Sequence, residues 1–452
     1  MLTAAEMRAA EDRVIASGTS AETLMDRAGT AAAEAAWRFA GPMPALVLCG
    51  PGNNGGDGYV IAQRLTERGL PVRVAASAEP LAPSARWAKT LWQGPVEDLS
   101  KTEAAPLLID ALFGTGLARP LDESLVRDLQ RLAEASAVRV AIDVPSGVAT
   151  DDGALVSPVP DFDLTIAFAA LKPAHLLQPA ARHMGRLVIA DIGVETSSRL
   201  QLIVRPHLAA PGPDDHKYSR GYVAVLAGAM PGAAALAAGA AARAGAGYVR
   251  LLSPESVASL PHAIVQSANA ALLDDKRIGA LVVGPGLGRG DRARTLLRTA
   301  LASQLPLLLD ADALFLLSSD GFEPFGVPAI LTPHQGEFDR LFGPSAASKV
   351  ERTRAAARQS GAVVVFKGSD SVVAAPDGRA AISRPVPHWL ASAGTGDVLA
   401  GIMAAMLARG LDPFDAAQAG LWLHGEAATR CGPGLIADDL LAHLPALLGE
   451  CA

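Results

Sequence analysis

The segment Cys49-Gly50-Pro51-Gly52-Asn53-Asn54-Gly55-Gly56-Asp57-Gly58 decides the fold of the first half of this chain. It follows the apolar run Leu46–Cys49 and precedes a helical pattern that starts at Asp57. A strand that enters a helix through a glycine-rich turn is typical of open α/β sheets, which bind ligands at that turn. Glycines let successive backbone N–H groups point inward, and the helix N-terminus adds positive potential. The segment therefore predicts an anion-binding loop.

Short apolar runs alternate with helical stretches in both halves of the chain, which is typical of mostly parallel sheets covered by helices on both faces. The strands predicted in the first half are Leu46–Cys49, Val72–Ala75, Leu107–Leu112, Val138–Val144, Leu164–Phe168 and Leu187–Ile192. Those predicted in the second half are Val223–Leu226, Tyr248–Leu252, Ala280–Val283, Leu307–Leu309, Ala329–Leu331 and Ala362–Phe366, followed by a hairpin of Val372–Ala375 and Ala380–Ser383. We expect two α/β domains, at 1–205 and 215–452, joined by a proline-rich linker at 206–214.

Composition restricts the class of protein. The 452 residues suffice for two or three domains, and 39 basic against 46 acidic residues give a net charge of −7, which argues against a nucleic-acid partner. Three cysteines without metal-ligand spacing fit a reducing cytoplasm. The charge-free stretch Gly221–Ala242 is long enough for a membrane span, but Pro231-Gly232 and the run Tyr222–Leu226 favour a strand, a turn and a buried helix. We expect a homo-oligomer without a membrane partner.

Two further strand ends in the first half carry carboxylates. They are the segments Asp110-Ala-Leu-Phe-Gly114-Thr115-Gly116-Leu117 and Asp143-Val-Pro145-Ser146-Gly147. Carboxyl ends of parallel strands share one edge of a sheet, so both segments can reach the crevice at the glycine-rich loop. Asn54, Asp110 and Ser146 together offer hard oxygen ligands, which suit an alkali or alkaline-earth cation. The structural alternative at each aspartate is an Asx turn that satisfies its own backbone.

These motifs in order, with Leu24-Met25-Asp26-Arg27-Ala28-Gly29 before them, resemble the NAD(P)H-hydrate epimerase family over residues 1–205. The resemblance implies a Rossmann-like α/β/α sandwich, K⁺ bound by Asn54, Asp110 and Ser146, and Asp143 at the reacting ring as proton-transfer group. It also implies that the hydrated nicotinamide nucleotide is held, with Asp143, by Asn53, Asn54, Gly55, Gly56, Asp57, Gly114, Thr115, Gly116, Leu117, Ala118, Arg119 and Pro120.

In the second half, Ala393-Gly394-Thr395-Gly396-Asp397 opens a predicted helix. Its backbone N–H groups would form an anion hole, and Asp397 could deprotonate a hydroxyl; the alternative for Asp397 is a helix cap. Three more segments follow predicted strands: Gly284–Gly288, Thr332–Phe338 and Lys367–Ser371. Each could line the ligand side of the sheet or be an ordinary turn. His424 and Glu426 are interpreted as packing and surface residues.

As a set, with His216-Lys217 and Gly228…Pro231-Gly232-Ala233-Ala234, these segments resemble the NAD(P)H-hydrate dehydratase family, which is ribokinase-like, over residues 215–450. The resemblance implies that Asp397 is the catalytic base and that the hydrate site is lined by Ala233, Ala234, Gly286, His334 and Asp397. It implies that ADP or ATP is held by Lys367, Gly368, Ser369, Asp370, Ser371 and Gly396. Mg²⁺ is expected to neutralise the nucleotide. Pro387-His388-Trp389 departs from the Asn-containing, glycine-rich approach common in that family.

The two resemblances together predict a bifunctional enzyme of metabolite repair. It would interconvert the R and S hydrates of NADH and NADPH (NADHX and NADPHX) and dehydrate the S form with ADP or ATP. Two alternatives stay open. One is a ribokinase-like vitamin or sugar kinase with an accessory domain, which would release a stable phosphorylated product. The other is an N-terminal domain that only binds nucleotides or serves as a scaffold.

Overall fold

The computed structural model describes residues 1–117, 119–258, 260–268 and 273–452. The chain divides into two compact units, Met1–Ser198 and Arg199–Ala452. Both are α/β, as predicted from the alternation of apolar runs and helical stretches. Within the described ranges, no helix combines the length and apolar character that a membrane crossing requires.

The first unit is built on a seven-stranded parallel sheet with the strand order β3-β2-β1-β4-β5-β6-β7. The strands are β1 (Ala45–Cys49), β2 (Val72–Ala76), β3 (Val96–Asp98), β4 (Leu107–Ala111), β5 (Val138–Ile142), β6 (Leu164–Phe168) and β7 (Arg186–Ala190). The helices are α1 (Ala4–Ala16), α2 (Ala21–Ala40), α3 (Asn53–Glu67), α4 (Pro83–Leu91) and α5 (Glu123–Glu134). Because β1, β4 and β6 are buried along their full length, they read in the sequence as mainly apolar runs, interrupted only by Asp110 in β4 and Thr165 in β6.

The order of the strands places the predicted ligand loops. β1 pairs with β2 on one side and with β4 on the other, so the direction of strand succession reverses between β1 and β4. A crevice opens at such a switch point, outside the carboxyl ends of the strands. The segment after β1 and the segment after β4 flank this crevice, and Asp143 follows the next strand, β5.

The second unit holds a ten-stranded sheet with the order β11-β10-β9-β12-β13-β14-β15-β16-β17-β8. Its strands are β8 (Leu200–Leu202), β9 (Tyr222–Leu226), β10 (Tyr248–Leu252), β11 (Ile264–Ser267), β12 (Ala280–Val283), β13 (Leu307–Leu309), β14 (Ala329–Leu331), β15 (Val363–Phe366), β16 (Val372–Ala374) and β17 (Ala380–Ile382). Its helices are α6 (Pro231–Arg243), α7 (Asp291–Ala302), α8 (Asp312–Asp320), α9 (Gln335–Phe342), α10 (Lys349–Ser360), α11 (Thr395–Ala408), α12 (Pro413–Cys431) and α13 (Ala437–Cys451). β15, β16 and β17 run antiparallel, which confirms the predicted hairpin.

The two units meet in the chain between Ser198 and Arg199, ahead of the predicted linker at 206–214. The reason is β8, which pairs in parallel with β17 and so joins residues 200–202 to the second sheet. Ile203 and Leu208 are buried in the core of the same unit. The proline-rich composition of this stretch hid a short strand that the sequence analysis did not predict.

The glycine-rich segment after β1 also differs from its prediction. Helix α3 begins at Asn53, with Gly52 as its N-cap, so the residues predicted as a loop form the first turn of the helix. Close packing explains the glycines: a Cβ on Gly55 would collide with the Gly50 carbonyl oxygen, and one on Gly56 would lie 2.6 Å from Met25 Cε. The first turn of α3 is thereby drawn down onto the end of β1.

Two candidate active sites

Asp143 is held in an uncommon backbone conformation at the crevice of the first unit. Its φ of 62° lies in the left-handed region, which a residue with a side chain rarely adopts without compensating contacts. Its main-chain N–H donates to Ile166 O at 2.8 Å, and its carbonyl oxygen accepts from His175 Nε2 at 2.6 Å. These two main-chain hydrogen bonds hold Asp143 in the left-handed conformation, which fixes the direction in which its side chain leaves the backbone.

A buried lysine neutralises this aspartate. Lys172 Nζ lies 2.5 Å from Asp143 Oδ1 and donates also to Phe168 O at 2.9 Å, and the lysine is fully buried. Burial on its own would raise the pKa of Asp143, but the Lys172 ammonium holds that pKa below its ordinary value. The buried ammonium therefore keeps an ionised carboxylate at the crevice. The sequence analysis did not select Lys172.

His175 stabilises the same arrangement. Its Nδ1 accepts from the Lys172 main-chain N–H at 2.8 Å, so Nε2 carries the proton that it donates to Asp143 O. Burial and the nearby Lys172 charge lower the pKa of His175 to about 4, which keeps the ring neutral. The sequence carried a usable signal for both residues, since Lys172 and His175 follow the buried strand β6 at the ligand edge of the sheet.

The loop after β4 meets Asn54 and Asp143. A Cβ on Gly114 would lie 2.9 Å from Asn54 Oδ1 and 3.3 Å from Asp143 Oδ2, so only glycine leaves both side chains their present place. Asn53 is fixed from outside this loop, because Ser84 Oγ donates to its Oδ1 at 3.1 Å. The structure thus brings together predicted residues from all three strand ends. Thr115, Gly116, Leu117, Arg119 and Pro120 continue this loop at least partly exposed, and Ala118 lies outside the described residues.

Two of the three predicted cation ligands, Asp110 and Ser146, form a buried oxygen cluster in the same unit. Asp110 Oδ1 accepts from Ser146 Oγ at 2.7 Å, and Asp110 Oδ2 accepts from the Ser146 main-chain N–H at 2.9 Å. Asp110 is fully buried, and in the described ranges no basic side chain lies within ion-pair distance of it. Burial raises the pKa of its carboxyl. Asn54 Nδ2 is likewise buried without a hydrogen-bond partner.

Two more acidic side chains, Asp57 and Glu11, lie near Asp143, and the sequence analysis predicted only Asp57 in this site. Asp57, predicted as a nucleotide ligand, is buried on the first turns of α3, and burial together with the Asp143 charge raises its pKa well above the ordinary value. Glu11 projects from α1, a helix to which the sequence analysis gave no part in the site. Burial and the charge of Asp143 raise the pKa of Glu11 to about 7.

In the second unit the corresponding switch point lies between β9 and β12. The loops after these strands are tied together, since Met230 N donates to Gly286 O at 2.9 Å and a Cβ on Gly228 would collide with the Leu287 main chain. The predicted residues Gly286 and Ala233 are neighbours, because a Cβ on Gly286 would lie 3.1 Å from Ala233 Cβ. Ala234, predicted with them, is fully buried in the core face of α6, so its side chain is covered by protein.

Asp397 lies on the first turn of α11 and faces other charged groups. Lys367 Nζ pairs with the buried Asp310 Oδ1 at 2.7 Å, and a Cβ on Gly396 would lie 3.7 Å from Lys367 Nζ. Burial and then the repulsion of Asp310 raise the pKa of Asp397 to about 7. A carboxyl with this pKa can accept a proton near neutral pH, which is what a general base requires. Asp310 was not selected from the sequence.

A cavity of about 540 Å³ opens beside the start of α11. The predicted residues on its wall are His334, Lys367, Gly368, Ser369, Ser371 and Gly396. Apolar and ring side chains complete it, among them Val386, Pro387, His388, Leu390, Leu399 and Leu421. Its size suits a nucleotide base and sugar. Pro387 and His388, from the segment that departs from the family pattern, line the cavity. The next residue, Trp389, donates from Nε1 to Ala428 O at 3.0 Å.

Three side chains near this cavity make contacts that the sequence analysis did not predict. His334 caps α9, since its Nδ1 accepts from Gly336 N at 3.0 Å, while its side chain stays 61% exposed toward solvent. The Asp370 carboxylate pairs with the partly buried Lys349, whose Nζ lies 2.6 Å from Asp370 Oδ1. His424, interpreted as a packing residue, is buried but also lines the cavity, and its Nε2 contacts Thr395 O at 2.9 Å.

Comparison with known proteins agrees with this geometry. A family model described as NAD(P)H-hydrate dehydratase matches residues 223–443, and one described as YjeF-related protein N-terminus matches residues 21–174. The bifunctional NAD(P)H-hydrate repair enzyme Nnr of Salinibacter ruber is 34% identical, with 100% of this chain and 96% of the relative covered. The chain belongs to the bifunctional NAD(P)H-hydrate repair enzyme family.

Another member of this family and one solved structure are also similar to the chain. The Nnr protein of Escherichia coli is 35% identical over 94% of this chain and 89% of its own length. A ribokinase-like superfamily protein of Enterococcus faecalis is 21% identical, covers 57% of this chain and 98% of its own, and has a TM-score of 0.51. That likeness concerns the fold, and it confirms the ribokinase-like architecture predicted for the second half of the repair enzyme.

Proposed function

We propose that the first unit interconverts the R and S hydrates of NADH and NADPH, and that the second unit dehydrates the S form with ADP or ATP. One observation carries the proposal: each unit has its own acid–base group, buried in the first unit and partly buried in the second, at the ligand edge of its own sheet. Asp143 with Lys172 fills this position in the first unit, and Asp397 fills it in the second. Membership of the repair-enzyme family over nearly the full chain supports the pairing of both activities.

In the first unit, the Lys172 ammonium keeps Asp143 ionised, and the carboxylate can therefore accept a proton. Gly114, Asn54 and the N-terminus of α3 hold the nucleotide beside this pair. His175 keeps Asp143 in its left-handed conformation. The hydroxyl at the hydrated carbon takes up a proton from a protonated group of the site and leaves as water, while the ring nitrogen lone pair forms a C=N⁺ bond. Water then adds back to that carbon and gives its extra proton to Asp143.

A K⁺ site fits the oxygen cluster of the first unit. Asp110 supplies a buried carboxylate without a basic partner among the described side chains. Ser146 Oγ contacts this carboxylate and also lies 3.3 Å from the Phe113 carbonyl oxygen. Hard oxygen donors of this kind suit an alkali cation. When bound, K⁺ would offset the Asp110 charge and add positive potential beside the nucleotide.

In the second unit, phosphoryl transfer precedes the loss of water. Asp397 removes the proton of the ring hydroxyl, whose oxygen bonds to the terminal phosphorus of the nucleotide as the phosphoanhydride bond breaks. Phosphate then leaves the ring, and a proton leaves the neighbouring carbon, which restores the reduced nicotinamide. Lys367 and the backbone around Gly396 stabilise the transferred charge. Mg²⁺ would be held by the nucleotide phosphates together with Asp310 or Glu337, which both interact with Lys367.

We further propose a cytoplasmic location and a homo-oligomeric state. Cys49, Cys431 and Cys451 are all free thiols, as expected in a reducing compartment. Light scattering of the purified chain tests the oligomeric state, and a monomer at micromolar concentration would contradict it.

Nucleotide-dependent recovery of reduced nicotinamide from purified hydrate tests the proposed function. The chain should consume both epimers when Mg²⁺, K⁺ and ADP or ATP are present. If nucleotide is consumed only after another small alcohol is added, and the product stays phosphorylated, the second unit is a kinase of the ribokinase type instead.

A further inference from the structure

Helix α1 carries a carboxyl group on its apolar face. Met7 and Ala10 of this helix are buried in the core of the first unit, and Val14 packs against the same core. Glu11 lies one turn after Met7, on this stripe, whereas its neighbour Asp12 is exposed. Taking a carboxylate out of water is costly, so an acidic residue at such a position needs a reason beyond packing.

Helix α1 is fixed in place rather than frayed. Thr3 and Glu6 form a capping box at its start. The main-chain N–H of Leu2 donates to Leu171 O at 3.0 Å, and that of Ala4 donates to Asp151 Oδ1 at 2.7 Å. Leu171 is the residue before Lys172, so the start of α1 is anchored to the segment that neutralises Asp143.

Glu11 opens into a cleft that also reaches the proposed substrate site. The cleft holds about 90 Å³ and is lined by Glu11 together with Asn53, Asp57 and Phe168. Phe168 connects it to the acid–base pair, because its N–H donates to Asp143 Oδ1 at 3.5 Å and its carbonyl oxygen accepts from Lys172 Nζ at 2.9 Å. Glu11 thus lines a cleft together with Phe168, whose main chain contacts both Asp143 and Lys172.

The charges around Glu11 let it change its protonation near neutral pH. Asp57, Asp143 and Lys172 act on it across the cleft, and Arg8 and Asp12 act on it from its own helix. Burial, then the Asp143 charge, raises its pKa to about 7. Throughout the described ranges, no lysine, arginine or histidine lies within ion-pair distance of its carboxyl. Glu11 can therefore hold or release a proton where Asp143 stays ionised.

We infer that Glu11 is a second proton-transfer residue of the epimerisation, acting on the hydrated ring together with the Asp143–Lys172 pair. This inference rests on the proposed epimerase function. It assigns a role to a residue that precedes the matched part of the family model, which begins at residue 21.

The step balances with two groups. One protonated group gives its proton to the departing hydroxyl, the carbon–oxygen bond breaks with its electron pair on the water formed, and the ring nitrogen lone pair forms the C=N⁺ bond. Water then adds to the opposite face of that carbon and gives a proton to the other, ionised group. Proton exchange with solvent then returns Glu11 to its protonated form and Asp143 to its ionised form.

Glu11→Gln in the full chain tests the inference, with Asp12→Asn on the same helix as a matched control. We expect Glu11→Gln to lower the epimerisation rate about 10²-fold, the usual value of one acid–base group, and to remove the change of rate near pH 7. Glu11→Asp should recover part of that loss. Asp12→Asn should keep the wild-type rate, and dehydration of pure S hydrate should be unaffected in every variant.

Retention of the wild-type rate and pH profile in Glu11→Gln would overturn the inference. So would equal losses in Glu11→Gln and Glu11→Asp together with a lower melting temperature, since these indicate packing alone. Asp143→Asn separates this result from failure of the proposed function. If Asp143→Asn is inactive while Glu11→Gln is not, only the role of Glu11 is wrong, whereas full activity of Asp143→Asn means that the epimerase site itself is wrong.

Discussion

The pKa values of two aspartates change in opposite directions because their charged neighbours differ. Asp143 is buried beside the Lys172 ammonium, and its pKa lies below the ordinary value. Asp397 is partly buried near another carboxylate, Asp310, and its pKa rises to about 7. The first is therefore ionised throughout the physiological range, while the second changes its charge within it.

Asp397→Asn is expected to abolish dehydration and to leave epimerisation intact. In the wild-type chain, the dehydration rate should rise with pH through about 7, because the protonated Asp397 cannot accept the hydroxyl proton. Initial rates on purified S hydrate between about pH 5.5 and 8.5 measure this. Loss of both activities in the variant would mean that the two sites are coupled.

Lys172→Met is expected to destabilise the first unit by about 3–5 kcal/mol, because it leaves Asp143 buried without its cation. The double variant Asp143→Asn with Lys172→Met should recover most of this free energy of unfolding, since no unpaired charge remains. Neither variant should epimerise. Urea unfolding measures the free energy of unfolding of both variants. Equal values for the single and the double variant would show that the unpaired Asp143 charge costs little stability.

The sequence located Asp143 and Asp397 because a carboxylate directly after a strand or at the start of a helix is visible in one dimension. Lys172 escaped because it meets Asp143 across 29 positions, through a loop after a different strand. Glu11 escaped for a similar reason, since a charged residue near a chain terminus reads as solvent-exposed until the helix is seen packed on the site.

At the scale of elements, glycines set how closely helices approach. Gly401 of α11 faces α6, and a Cβ there would collide with the Ala237 carbonyl oxygen. Gly449 of α13 faces open space. Replacing each of these two glycines by alanine therefore distinguishes the effect of helix packing, at Gly401, from the effect of helix propensity, at Gly449.

Gly401→Ala should therefore destabilise the second unit by about 1–3 kcal/mol through overpacking. Gly449→Ala should be neutral or stabilising by about 0.5–1 kcal/mol, because alanine restricts the unfolded chain more than glycine does. Chemical denaturation of both variants measures the difference. A stabilised Gly401→Ala variant would show that α6 and α11 can move apart at little cost.

Most strands were predictable because they are buried on both faces and so appear as apolar runs. β3, β8 and β11 were missed, since Val96–Asp98, Leu200–Leu202 and Ile264–Ser267 are short and partly exposed edge segments. The start of α3 was placed too late because two glycines and two asparagines resemble a loop. Only the close approach of Gly55 to Gly50 explains why that composition is needed in a helix.

For the whole molecule, the division between Ser198 and Arg199 predicts which fragments of the chain fold and stay active when they are produced separately. Fragment 199–452 should dehydrate S hydrate and unfold at a higher Tm than fragment 206–452, because the latter lacks β8 and exposes the edge of β17. Fragment 1–198 should retain epimerisation. Equal Tm values for fragments 199–452 and 206–452 would instead place the boundary at the proline-rich stretch 206–214.

The central claim is that one chain has two independent active sites acting on one damaged cofactor. The most direct measurement follows the absorbance of reduced nicotinamide when the wild-type chain and Asp143→Asn act on mixed R and S hydrates with Mg²⁺, K⁺ and nucleotide. The wild-type chain should restore the full signal and consume both epimers, whereas Asp143→Asn should consume S first and then proceed no faster than uncatalysed epimerisation. Identical time courses for the two proteins, or recovery without nucleotide, would contradict the account.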